Sequence, residues 1–252
     1  MGVVDPPRFR DPLAAGPAGD APGWHRRLLI LGLTGLAAIL LGRFFPLSLV
    51  SNGICLLVHE LGHTAVSIFF GSFAVPAVIL TLTFEQTLLS VLGVWFLLLL
   101  LLWNVRSDAR FAVPLGLLCA VYPFVARSAL HVSLITLAGH GAEIACSAFF
   151  LHRAGAADLE REWERPGWAL LGWLLAVQNA GRAWGLWTSE DARTVYETVS
   201  FVGDNDFVRI AKSSGVPLEK IGGLYFFAAV VFPVTALLLV LLRSRRERDA
   251  VL

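Results

Sequence analysis

The sequence predicts an all-α polytopic membrane protein: six or seven transmembrane helices with one short β-like or re-entrant element. Three observations carry that prediction. Hydrophobic residues make up 56% of the 252 positions and charged residues only 15%, against about 25% charged in an ordinary soluble domain. The apolar residues are gathered into long blocks, with a mean hydropathy of +0.70, as bilayer spans require. Aromatic and basic residues stand at the block ends, where Trp24-His25-Arg26-Arg27 and Arg243-Ser244-Arg245-Arg246 read as interface anchors. A net charge of +1 argues against a nucleic-acid partner. Cys55, Cys119 and Cys146 are an odd number in apolar segments, so they read as small packing residues and not as a disulfide framework.

Residues 1–23 are rich in Pro, Gly and Ala and read as a flexible tail. They are too Pro-rich for the n-region of a signal peptide, although the first apolar block can serve as an uncleaved anchor. Residues 24–243 form the membrane domain, and 244–252 a basic C-terminal tail. The first span runs over 28–45 and is broken by Pro46. A second helix covers 52–70, about 28 Å at 1.5 Å per residue, and Gly71 is placed to end it. Residues 72–84 are β-branched, partly alternating and contain Pro76, which predicts a short hairpin or re-entrant strand. Further apolar blocks cover 86–103, 111–126, 131–151, 167–187 and 222–242. The segment 152–166 is charged, its 158–165 run reading as a solvated, salt-bridged helix face, and 188–220 reads as a polar loop. Basic residues at both ends place both termini in the cytoplasm, which requires an even number of spans. Of seven blocks, 111–126, with Pro114 and Pro123, is the one expected to be short, broken or re-entrant.

The chemistry is concentrated in His59-Glu60-Leu61-Gly62-His63, inside the second helix. Positions i and i+4 share a helical face, so His59 and His63 can point at one metal ion. Neutral imidazole is a good ligand for Zn²⁺. Glu60 stands beside them, placed to act as general base towards a water on that metal. Gly62 leaves room for a close helix approach. Catalytic zinc takes three protein ligands, so a third must come from elsewhere. One source is the fifth apolar block, where Ser133, Thr136, His140, Glu143 and Ser147 form one polar helical stripe. Such a stripe must face the protein interior or a wet cavity. Another is Gly203-Asp204-Asn205-Asp206. A carboxylate there would offset the charge of a zinc ion held by neutral histidines, which favours Asp204; Asp206, Glu143 and His140 remain alternatives. Gln178, Asn179 and Arg182 are the polar residues of the sixth block, and Arg182 can pair with Glu143 or polarise a substrate carbonyl.

HELGH preceded by Leu56-Leu57-Val58 and followed by Phe69-Phe70-Gly71 resembles the site-2-protease-like intramembrane zinc metalloproteases. The resemblance covers about 30 residues. It implies that His59 and His63 bind zinc, that Glu60 is the base, and that a β-rich element follows the helix, as 72–84 does. It also implies an aspartate as third ligand, carried onto Asp204. The family's Asp-Gly motif has no counterpart, because the chain contains no Asp-Gly pair, which marks a divergent branch. The expected activity is hydrolysis of peptide bonds in membrane-associated proteins or peptides, in contact with lipid, in a bacterial inner membrane. The competing expectations are a non-proteolytic metal-binding scaffold or regulator, and a metal or proton transporter.

Overall fold

The computed structural model describes residues 24–77, 80–156, 161–199 and 205–249. Helix α1 (Trp24–Arg43) stops just before Pro46, and Pro46 opens α2 (Leu47–Phe69). Gly71 ends α2 with φ +79°, a left-handed conformation that glycine adopts without strain. Its N–H bonds to Ile68 O, and Ser72 N–H to Ser67 O, which satisfies terminal carbonyls of the helix. A Cβ at Gly71 would stand 2.8 Å from Val91 N, so the turn also needs glycine for packing.

The hairpin expected over 72–84 is present. Strands β1 (Ala74–Ala77) and β2 (Leu80–Thr83) pair antiparallel, with Ala74 opposite Thr83 and Pro76 opposite Thr81. Helix α3 (Leu88–Val105) starts on a reciprocal cap between Thr87 and Ser90. Helix α4 (Ala109–Ala126) starts on the Asp108 side chain. The expected break in 111–126 is not there: α4 is continuous through Pro114 and Pro123. Apolar surroundings tolerate proline in a helix when neighbouring groups and local adjustments satisfy the freed carbonyls.

Helix α5 (Leu130–Gly155) is followed by a single 3₁₀ turn, Glu162–Glu164, and by α6 (Arg165–Thr188). The 158–165 charge run is not simply a solvated face: residues 157–160 lie outside the described residues, and Arg165 is fully buried. Arg165 donates to the carbonyls of Ala154 and Ala156 and pairs with Glu162 at 2.6 Å, so it closes the end of α5. Nor is 188–220 merely a loop. It holds α7 (Glu190–Thr198), capped by Ser189, which buries no residue, and α8 (Asp206–Ser214), which buries only Phe207 and Val208. Their polar surface concealed them in the sequence. Helix α9 (Leu218–Asp249) completes the chain.

Helices α5 and α6 are central. Helix α2 packs on α5, α1 on α6, and α9 on both. The α3–α4 pair stands to one side, joined to the rest around Phe70, Val91, Tyr122 and Ala126. Tyr122 donates to Phe69 O, and Gln86 Nε2 to Phe70 O and Ala126 O, which fixes the turn after α2.

Five helices among the described residues are long and apolar enough to cross a membrane: α1, α3, α4, α5 and α9. Large apolar side chains stand outward along them, Leu89 and Phe124 being 81% and 78% exposed. An apolar surface of this extent suits lipid and not water. The expected six or seven spans are therefore corrected to five on length and composition. Helices α2 and α6, of 23 and 24 residues, are long enough, but His59, Glu60, His63 and Gln178, Asn179, Arg182 make them more polar.

Candidate metal centre

The polar residues of α2 and α5 meet because both helices carry small residues at their crossing. At Gly62 an added Cβ would run into the Ala138 carbonyl oxygen and stand 2.6 Å from Ala142 Cβ. At Gly139 it would stand 2.5 Å from His59 Cε1 and 2.6 Å from both His59 Nε2 and His63 Nε2. The backbone of α5 thus forms a floor directly under the two imidazoles. On α5 four of the five residues of the predicted stripe, Thr136, His140, Glu143 and Ser147, are buried in the protein interior, and Ser133 is half-buried.

Three atoms converge above this floor. His59 Nε2 and His63 Nε2 lie 3.0 Å apart, and each is 2.9 Å from Asp206 Oδ2. Asp206 opens α8 and is brought in from the polar segment after α6. Asp204, the favoured third ligand on sequence grounds, lies outside the described residues; Asp206, one of the alternatives, is the carboxylate that stands beside both histidines. Phe207 anchors it, stacking on His140 with centroids 3.9 Å apart and packing on Tyr225. Burial raises the pKa of Asp206, but its bonds to His59 and His63 outweigh this and hold the carboxyl well below the usual range.

The donor set fits a metal ion. His63 Nδ1 is 2.7 Å from Ile135 O; a carbonyl only accepts, so Nδ1 carries a proton, and in the neutral ring Nε2 then carries the lone pair. His63 Nε2 faces a carboxylate oxygen 2.9 Å away. That contact is satisfied either by a proton on Nε2, as in the imidazolium, or by a metal ion held between the two atoms. Tetrahedral zinc, with bonds of about 2.0–2.1 Å, holds its ligand atoms about 3.3–3.4 Å apart. The observed triangle needs to open by only a few tenths of an ångström.

His140 offers a wider alternative. Atoms of His59, His140 and Asp206 lie within 4.8 Å of one another. Two ligands on one zinc ion cannot be more than about 4.2 Å apart, so the tighter triangle is the better primary site and His140 an additional donor. His140 Nδ1 bonds to Glu143 Oε2 at 3.0 Å, while its buried Nε2 has no hydrogen-bond partner.

Glu60 is buried on the same helix and lines the same cavity, which measures about 490 Å³. Thr81 Oγ1, on β2, is 2.7 Å from Glu60 Oε2 and 2.9 Å from Glu60 O. The hairpin therefore holds the carboxylate in place. Glu60, Glu143 and Asp206 line the cavity against Arg182 and the exposed Arg209, a balance that favours a cation. Arg182 NH1 is 3.5 Å from Glu143 Oε1. Gln178 turns to Ser51 at 2.8 Å and takes no part in the centre.

Three contributors escaped the sequence reading. Thr81 was one of several threonines in the hairpin, and Gly139 was visible only as the neighbour of a polar position. Tyr225 had a signal: it is the sole tyrosine of its apolar block, and a hydroxyl there needs a partner. Comparison with protein-family profiles, with characterised proteins and with solved structures finds no match to this chain.

Proposed function

We propose that the chain is a membrane-embedded, zinc-dependent peptidase acting on membrane-associated proteins or peptides. The observation that carries this reading is the convergence of His59 Nε2, His63 Nε2 and Asp206 Oδ2 within 3.0 Å of one another, with the Glu60 carboxylate in the same cavity. Two nitrogens and one carboxylate oxygen are the ligand set of a catalytic zinc with an open position. A bound Zn²⁺ supplies Lewis acidity there, polarising the scissile carbonyl and acidifying water.

Glu60 accepts a proton from the attacking water and returns it to the leaving amine, so that water is added across the C–N bond. Thr81 keeps the carboxylate facing the cavity through its 2.7 Å contact with Oε2. Thr81 and Thr83 of β2 line the cavity, so an extended peptide paired along that strand lies beside the reacting groups. The polar stripe of α5 provides the wet wall by which water reaches a site among apolar helices.

Replacing Glu60 by Gln is expected to lower peptide hydrolysis by about 100-fold or more while one zinc ion stays bound. Purified protein in detergent, assayed on a fluorogenic peptide library with metal content measured in parallel, checks this; undiminished cleavage refutes the assignment. A second reading is favoured by His140: with a fourth protein donor the ion has no open position, and the chain is a non-proteolytic metal scaffold. X-ray absorption at the zinc edge separates the two, by three nitrogens and one oxygen against two nitrogens with added water oxygens.

A further inference from the structure

Glu143 is fully buried, yet helices α2, α5, α6 and α9 all bring polar groups to its carboxylate. Its Oε2 accepts from His140 Nδ1 at 3.0 Å and from Tyr225 OH at 3.1 Å, and lies 3.8 Å from His59 Nδ1. Its Oε1 is 3.5 Å from Arg182 NH1. Tyr225 OH is also 2.7 Å from Asn179 Oδ1. One hydroxyl proton cannot serve both acceptors. A half-turn of the Asn179 amide, whose buried Nδ2 otherwise has no partner, lets the amide donate to the tyrosine oxygen and sends the tyrosine proton to Glu143.

A buried carboxylate is costly unless it is paired and hydrogen-bonded. Here the pairing runs towards the metal triangle. His59 Nδ1 is buried without a hydrogen-bond partner, and its other nitrogen belongs to the triangle. His63 is already oriented through its own Nδ1, by Ile135 O. A histidine that ligates a metal commonly donates its second ring N–H to a carboxylate or carbonyl, which fixes the ring and raises its basicity.

We propose that Glu143 is a positioning residue of the metal centre: it accepts a hydrogen bond from His140 Nδ1, its charge faces His59 Nδ1 at 3.8 Å and keeps the ring's Nε2 in the triangle, and it is itself held by Arg182 and Tyr225. The two histidines of α2 are then fixed by different means, one by a backbone carbonyl and one by a buried carboxylate. Helices α6 and α9, which contribute no ligand to the triangle, reach the ion through Glu143. The inference rests on the metal reading of the site but not on peptide hydrolysis.

The test uses the full chain in detergent, with zinc affinity measured against a chromophoric chelator and the visible spectrum of the Co²⁺-substituted protein. Glu143→Gln keeps the shape and removes the charge. Zinc affinity is expected to fall by about 10- to 100-fold, with shifted Co²⁺ d–d bands. Tyr225→Phe removes only a donor to Glu143, and is expected to weaken zinc and move the Co²⁺ bands in the same direction. It decides the matter if Glu143→Gln does not fold. Wild-type affinity and an unmoved Co²⁺ spectrum in the folded variants would overturn the proposal. Wild-type protein that binds zinc but cleaves no peptide would count against the peptidase reading alone.

Discussion

A carboxylate 147 positions away from His59 in sequence turns a pair of helix histidines into a candidate metal site. Asp206 Oδ2 is shared between the two Nε2 atoms at 2.9 Å each, so it is worth more than an ordinary hydrogen-bond acceptor. Replacing Asp206 by Ala is expected to lower zinc affinity by about 100-fold or more, since it removes one of three ligands and its charge. The matching Asp204→Ala variant is expected to keep its zinc. Metal analysis of the two proteins side by side checks this, and zinc lost only from the Asp204 variant would reverse the assignment. The sequence placed a carboxylate in this segment on grounds of charge. It favoured Asp204 over Asp206, two residues on, because which aspartate reaches the histidines depends on where α8 opens and where Phe207 docks, and no local pattern shows either.

At the scale of elements, the site is a property of the α2–α5 crossing. The HELGH pattern was legible because the 3.6-residue period places His59 and His63 on one face whatever surrounds them. The α5 stripe was legible for the same reason. The hairpin over 72–84 was visible in its β-branched residues and Pro76, but its role was not: Thr81 reaches Glu60 only because the strand folds back along α2. The floor was hidden as well. Gly139 reads as an ordinary small residue until α5 is laid under α2, where a Cβ would come within 2.6 Å of both Nε2 atoms. Gly139→Ala is expected to displace the imidazoles and lower zinc affinity by roughly tenfold or more. Gly141→Ala, where a Cβ meets nothing within 4 Å, is expected to leave it unchanged. Equal zinc affinity in both variants, measured by chelator competition, would show that the crossing is looser than the packing implies.

For the whole molecule, two polar-bearing helices, α2 and α6, accompany five that are apolar enough to cross a bilayer. Burying imidazoles and carboxylates in lipid is costly, so these helices turn their polar faces towards α5 and α9. The outward apolar surface of α1, α3, α4 and α9 predicts that the protein stays with the membrane pellet after alkaline carbonate extraction and is released only by detergent. Recovery in the aqueous supernatant would contradict membrane integration. The α3–α4 pair touches the rest of the fold over a small area centred on Tyr122, which leaves most of its surface for lipid.

The sequence by itself determined the membrane-like helical architecture, the HELGH face of α2 and the polar stripe of α5. Each of these depends on composition or on the period of one helix, which are local quantities. The tertiary structure decided that α4 continues through its prolines, that α7 and α8 fold within an apparently polar loop, and that Asp206 closes the triangle. It also decided that Glu143 gathers groups from four helices. These outcomes turn on how closely two backbones approach and on which groups are left without water. Distance between segments far apart in the chain sets both, and no local pattern encodes it.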